Sequence, residues 1–163
     1  MKDFLIVLGV ILGLYLIYII LKPIIIKKRI ISGILKDASK YEVRCTILKN
    51  HVDNADFSIK TDDKVFLVKV INVKKNCDLQ INNIDTFMMY TKTLSKTFKV
   101  KKIPNLTKFM KSKKGNRIII LSTKAKTIKK VINECEMVMV DENTDVYGVH
   151  ILNYNNYSYL FKK

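Results

Sequence analysis

Acidic residues are missing from a long central stretch of this 163-residue chain. None occurs between Asp85 and Glu134, where 14 lysines or arginines stand. A lobe without interleaved carboxylates keeps its positive field and draws polyanions, either nucleic acid or an anionic lipid surface. Arginine is scarce as well, with 3 residues against 27 lysines. Because arginine makes the commonest bidentate contact to a base edge, this scarcity argues against sequence-specific reading of a duplex. Lysine, isoleucine and asparagine abound together, as an AT-rich genome dictates, so codon bias competes with selection as the source of the +16 net charge.

Glycine numbers only 5, scattered, with Gly9 and Gly13 inside the apolar N-terminus. That removes a phosphate-cradling loop and a dinucleotide fingerprint. No Gly-x-Ser-x-Gly elbow is present either. The 3 cysteines, Cys45, Cys77 and Cys135, lie far apart and form no Cys-x-x-Cys pair. An odd, scattered set supports neither a disulfide framework nor a zinc site, and reads as reduced thiols, small apolar residues of a cytosolic domain. His51 and His150 are single histidines on predicted strands, without a second ligand at metal spacing. No internal repeat or low-complexity linker is evident. The length suits one domain and a small addition, at ~100–200 residues per domain.

The addition stands at the N-terminus. Phe4 to Leu21 is free of charge, and a spanning helix needs ~20 mostly apolar residues. Gly9 and Gly13 give a GxxxG spacing that permits close helix pairing in lipid, and Tyr15 and Tyr18 lie where interfacial rings sit. A cleaved signal peptide is the competing reading. The run exceeds the ~7–15 residues of a signal core, and no small-x-small cleavage site follows it. Lys22, Lys27, Lys28 and Arg29 follow the run, and only Lys2 precedes it. The positive-inside rule then predicts a single-pass anchor over residues 1–26 in the cell membrane, with residues 27–163 as a cytoplasmic domain.

Within that domain, Ile26, Ile30, Ile34 and Ala38 recur at helical spacing, so an amphipathic helix is expected between Pro23 and Tyr41. Strands are expected over Val43–Val52, Asn54–Thr61 and Lys64–Val73, with a turn at Asp62-Asp63. Leu79–Thr91 reads either as short strands turning at Asn82-Asn83 or as a helix. Lys92–Lys102 reads as a basic connector, and Pro104 as the start of a helix over Asn105–Lys113 that Gly115 stops. Arg117–Leu121 is a buried strand, Lys124–Asn133 a helix capped by Ser122-Thr123, and Glu136–Val140 and Val146–Leu152 are strands. The expected fold class is α/β: a mixed sheet flanked by helices. The pairs Met88-Met89 and Met137/Met139 read as core filling. The tail rings Tyr154, Tyr157, Tyr159 and Phe161 read as a final edge strand packed on the sheet, with stacking on bases as the alternative.

One hairpin carries chemistry. In DFSIKTDDKVFLVKV, Asp56–Val70, an apolar strand is broken by Lys69, with Asp56 across the hairpin. Together with the element order, this resembles the PD-(D/E)XK, restriction-endonuclease-like family, over roughly residues 27–152. There an aspartate on the second strand and a (D/E)-x-K on the third converge on one or two Mg²⁺ ions, which activate water and steady the phosphorane charge. Asp56 matches the first aspartate and Lys69 the lysine, while Leu67 occupies the place of the second acid. The strand VFLVKVIN is similar to the VFVIEVKN-like strand of nuclease-related domains, and Arg117–Glu134 looks like the strand and helix that close the fold.

The resemblance thus implies a degenerate nuclease core: Asp56 and Lys69 as relics, no bound metal, no cofactor. The rival reading is an active Mg²⁺-dependent nuclease in which Asp53, Asp62, Asp63 or Asp85 replaces the missing acid. A third is a structural subunit making protein contacts. The binding surface for nucleic acid or anionic lipid is expected in the basic run, at Lys99, Lys101, Lys102, Lys108, Lys111, Lys113, Lys114 and Arg117.

Overall fold

The computed structural model describes residues 2–49, 52–93, 97–112 and 115–161. Helix α1, Lys2–Lys40, runs through Pro23 as one element. Proline leaves the carbonyl four residues back without its bond, and it does so here at the end of the apolar run. The N-terminal half of α1 is long and apolar enough to cross a membrane, and that window is not buried at all by the rest of the chain. The C-terminal half is amphipathic as the spacing predicts. Ile30, Ile34 and Ala38 are buried, and burying an isoleucine contributes about 1.5–3 kcal/mol.

They pack on the first of two mixed sheets, each of five strands. The first contains β1 (Thr46–Leu48), β2 (Phe57–Lys60), β3 (Val65–Ile71), β7 (Asn116–Leu121) and β10 (Val149–Leu152) in that spatial order. β1, β2 and β3 are antiparallel, whereas β3, β7 and β10 run parallel. The pleat sends Phe66, Val68, Ile118 and Ile120 towards α1. Leu67, Ile71, Ile119 and Leu121 point to the other face.

The layer on that other face was not expected. It is a second sheet, in spatial order β6 (Phe98–Lys102), β5 (Thr86–Lys92), β4 (Asp78–Asn83), β8 (Thr127–Asn133), β9 (Glu136–Met139). Leu79, Ile81, Phe87, Met89 and Ile128 close the core against the first sheet. The molecule is therefore layered helix, sheet, sheet; the four-residue α2 (Thr107–Met110) adds Phe109 and Met110 to the core between the sheets, and among the described residues no helix covers the outer face of the second.

Several expectations change accordingly. Lys124–Asn133 is not a helix; Thr127–Asn133 is strand β8, parallel to β4 and antiparallel to β9. Ile128, Val131 and Ile132 have helical spacing, yet β-branched residues also suit a strand, and β4 offers an edge that must be paired. Only Ile128 is buried, and Ile132 is exposed. The basic connector Lys92–Lys102 contains strand β6, and the β4–β5 turn falls at Ile84-Asp85 rather than Asn82-Asn83. The strand expected over Val43–Val52 shortens to β1. The helix expected over Asn105–Lys113 shortens to α2, with Lys113 outside the described residues.

Met137 and Met139 are exposed instead of filling the core. After β10 the tail leaves the sheet for a short 3-10 turn at Ser158–Leu160. It returns to α1, where Tyr157 and Phe161 are buried. Of the thiols, Cys77 is buried, Cys45 half-buried and Cys135 exposed at the β8–β9 turn; burial pushes the first two thiols up.

Gly33 sets how closely the tail approaches α1. A β-carbon there would stand 2.7 Å from Cε2 of the Tyr157 ring, and that ring is fully buried with no room to retreat. Gly33→Val is expected to destabilise the domain by about 1–3 kcal/mol, the usual scale of overpacking. Urea unfolding of the full chain in micelles reads the shift. An unchanged midpoint would show that the tail is not held by this contact.

Candidate functional site

Two of the residues singled out in the sequence come together. Asp56 lies just before β2, where its N–H donates to the Val68 carbonyl at 2.7 Å and so locks it beside β3. Its Oδ2 accepts from the Val70 N–H at 2.8 Å and lies 3.7 Å from Lys69 Nζ. Its Oδ1 lies 2.7 Å from Lys27 Nζ, which arrives from α1. Lys69 in turn donates to the Asn54 carbonyl at 2.8 Å. That carbonyl is presented by an unusual stretch in which Asp53 and Asn54 both have positive φ. Asn and Asp tolerate this left-handed conformation better than most residues. The stretch is held from outside by Asn54 Nδ2 donating to the Asn105 carbonyl and Ser112 Oγ donating to Asp53 Oδ2.

Leu67, on the same strand face as Lys69, is buried in the core between the sheets. Its side chain contributes packing where the nuclease pattern has a carboxylate. The acids considered as replacements lie elsewhere. Asp62 and Asp63 are exposed in the β2–β3 turn, at the far end of the hairpin from Asp56. Asp85 pairs with Lys111 at 3.1 Å, and the Lys111 ammonium beside it holds its carboxyl below the usual range. Asp53 is held by Ser112. Among the described residues no group of three or more His, Cys, Asp or Glu could hold a metal ion. The cleft beside Lys69 is instead cationic. It encloses about 250 Å³ and is lined by Lys69, Lys101 and Lys102 with no carboxylate.

The basic run does not form one patch. Lys99, Lys101 and Lys102 lie on edge strand β6. Lys108 is exposed on α2, and Lys111 is engaged with Asp85. Lys113 and Lys114 lie outside the described residues. Arg117 turns inward: its guanidinium donates to the carbonyls of Phe109, Met110 and Tyr147. Gly148 makes room for it, since a β-carbon there would stand 2.6 Å from Nη2. His150 is half-buried, its ring 4.5 Å from that of Tyr159, and His51 lies outside the described residues.

Sequence reasoning did not find the outer face of the second sheet. The register places Met88, Tyr90 and Lys92 of β5 beside Lys102, Val100 and Phe98 of β6. Across β4 the same face continues to Lys129 and Val131 of β8 and to Met139 and Met137 of β9. Nothing among the described residues covers it; Phe98 is 58% exposed and Met139 58%. The signal was the alternation in FKVKK, hidden while that segment read as a connector. No family model matches the chain, and no curated protein and no solved structure matches it.

The Lys27–Asp56–Lys69 cluster joins α1 to the sheet. Asp56→Ala strands two lysine charges and frees the Val70 N–H, and the cost expected is on the order of 3 kcal/mol for so buried a carboxylate. In a double-mutant cycle on unfolding midpoints, Asp56→Ala with Lys69→Met is expected to cost less than the sum of the single changes. Strict additivity would show that the two side chains do not act together.

Proposed function

We propose that the chain is a membrane-anchored, non-catalytic binding module. Its restriction-endonuclease-like core is turned to the cytoplasm, and the outer face of its second sheet binds single-stranded nucleic acid. The nuclease-like reading is supported by the first sheet, in which three antiparallel strands lead into two parallel ones, with Asp56 and Lys69 facing each other at the resemblance's positions. The non-catalytic reading is supported by the fate of the donors. Asp56 is already engaged by two ammonium groups and a backbone N–H, and Leu67 is packed in the core. A Mg²⁺ ion takes oxygen ligands and needs anionic ones, and these residues offer it a single, already neutralised carboxylate. The cytoplasmic side follows from the cations at residues 22–29 that succeed the apolar run.

The observation that carries the binding reading is the open face itself. Tyr90 and Phe98 lie diagonally across the β5–β6 ladder, with Lys92, Lys102 and Lys129 around them. Rings on a flat sheet stack on bases of any sequence, and lysines track the phosphates between them. Lysine suits such contact because its ammonium acts as a compact point charge on the phosphates. Asp78, the acid on this face, is occupied by the Thr127 hydroxyl at 2.6 Å.

The test is anisotropy of a labelled single-stranded oligonucleotide against the full-length chain in nanodiscs of neutral lipid. Binding is expected to fall with salt at a log–log slope of about −0.7 per phosphate contacted. Tyr90→Ala and Phe98→Ala should each weaken it by roughly 1–3 kcal/mol, the worth of a lost stack. Cleavage products on adding Mg²⁺ would overturn the non-catalytic reading. Absence of binding at low salt would overturn the nucleic-acid reading and leave the exposed methionines of β9 to a protein partner.

A further inference from the structure

N-terminal to Ile26, which still packs against the core beneath α1, the helix runs on past the sheet. The stripe of α1 that faces the domain continues towards the N-terminus through Arg29, Ile26, Ile25, Lys22 and Tyr18 at helical spacing. Opposite it stand the loops that leave β3 and β7. They are fastened to each other: the Val73 N–H donates to Ser122 Oγ at 3.0 Å, and Thr123 Oγ1 donates to the Val73 carbonyl at 3.0 Å. Between helix and loops lies a groove of about 590 Å³.

Its lining is one-sided in charge. Lys22 and Arg29 come from the helix, Lys74 and Lys75 from the loop after β3, and Lys101 from β6, while no carboxylate lines it. Among the described residues none of these cations stands in an ion pair. Ile25, Val73 and Met89 give the groove an apolar wall. Its height in the membrane follows from the sequence. The uncharged run Phe4–Leu21 spans roughly 27 Å at ~1.5 Å per residue, close to the ~30 Å of a hydrocarbon core. Lys22 is thus the first cation at headgroup level, and Tyr18, one turn below it, lies among the acyl chains' upper carbons.

We propose that this groove seats the headgroup of an anionic phospholipid, with its phosphate against Lys22, Arg29, Lys74 and Lys75 and its acyl chains running down α1 past Tyr18. The chemistry recognised is a phosphate ester. A lipid is favoured over a soluble phosphate because the apolar wall continues into the lipid-facing surface of the helix. It is favoured over nucleic acid because Tyr18, Lys22 and Ile25, at the end of the apolar run of α1, form part of the lining. The inference rests on the membrane-spanning reading of α1 and not on the nucleic-acid face.

The experiment uses the full-length chain in nanodiscs of phosphatidylcholine mixed with phosphatidylglycerol, and counts the lipids that stay bound on release into native mass spectrometry. The expected result is retention of phosphatidylglycerol over phosphatidylcholine by about tenfold or more. The pair Lys74→Glu and Lys75→Glu should abolish that preference. The pair Lys60→Glu and Lys64→Glu, of equal charge change but at the β2–β3 turn, should keep it. Equal loss in both pairs would overturn the groove in favour of diffuse attraction. Displacement of the lipid by inorganic phosphate would assign the site to a free anion. A chain that does not co-elute with nanodiscs would overturn the anchor and this site together, leaving the oligonucleotide face untouched. Co-elution without a lipid preference would overturn the groove alone.

Discussion

One helix changes character along its length, and much else follows from that constraint. Phe4 to Leu21 is uncharged, and this half is long and apolar enough to cross a membrane. From Ile26 onward one stripe is apolar and the rest polar, as a helix lying on a sheet must be. Because α1 is a single element, the two halves cannot turn independently. The stripe that carries Ile30, Ile34 and Ala38 into the core fixes which side of the lower helix faces the domain. Lys27 is then carried to Asp56, and Tyr18 and Lys22 to the loops after β3 and β7. Closeness is fixed too: Gly33 lets the Tyr157 ring lie directly on the helix.

Asp56 shows how a site pattern and a structural joint occupy the same atoms. A carboxylate between two strands at the mouth of a sheet is expensive to bury unless its charge is met. A metal ion meets it in the nuclease pattern. Here two ammonium groups and the Val70 N–H meet it. A second acid at position 67 would then stand without a counter-ion against the inter-sheet core, which leucine fills without that cost. The apolar residue and the lysine from α1 are therefore consistent halves of one arrangement, and together they favour a positive cleft over a chelating one.

The sequence was most legible where a single periodicity ruled. The long apolar helix at the N-terminus, the amphipathic stripe of α1, the Asp62-Asp63 turn and the buried run of β3 follow from their spacing. Asp56 and Lys69 were legible as a pair because strand pleating puts residues of adjacent strands side by side. The second sheet was illegible for a physical reason. Its strands are half-buried and rich in lysine, so their apolar residues are too few to fix a period. In KTIKKVIN the isoleucines and valine fit a helix as well as a strand, and only the free edge of β4 decides between them. Arg117 misled differently: its charge reads as surface, yet the space left by Gly148 and the carbonyls of Phe109, Met110 and Tyr147 draw it inward.

The division of the basic run has the same origin. Lys101 and Lys102 are neighbours in the chain, but a strand sends successive side chains to opposite faces. Both lysines border the cleft beside Lys69, but Lys101, paired with the buried Met89, also reaches the groove beside α1, whereas Lys102, paired with Met88, stands in register with the outer face of Tyr90 and Phe98. Lysine at alternate and successive positions of an edge strand also discourages another chain from adding to the ladder. The charge that composition reports as one lobe is thus parted by β6 into two surfaces. One borders the groove beside α1 and the other faces away from the core.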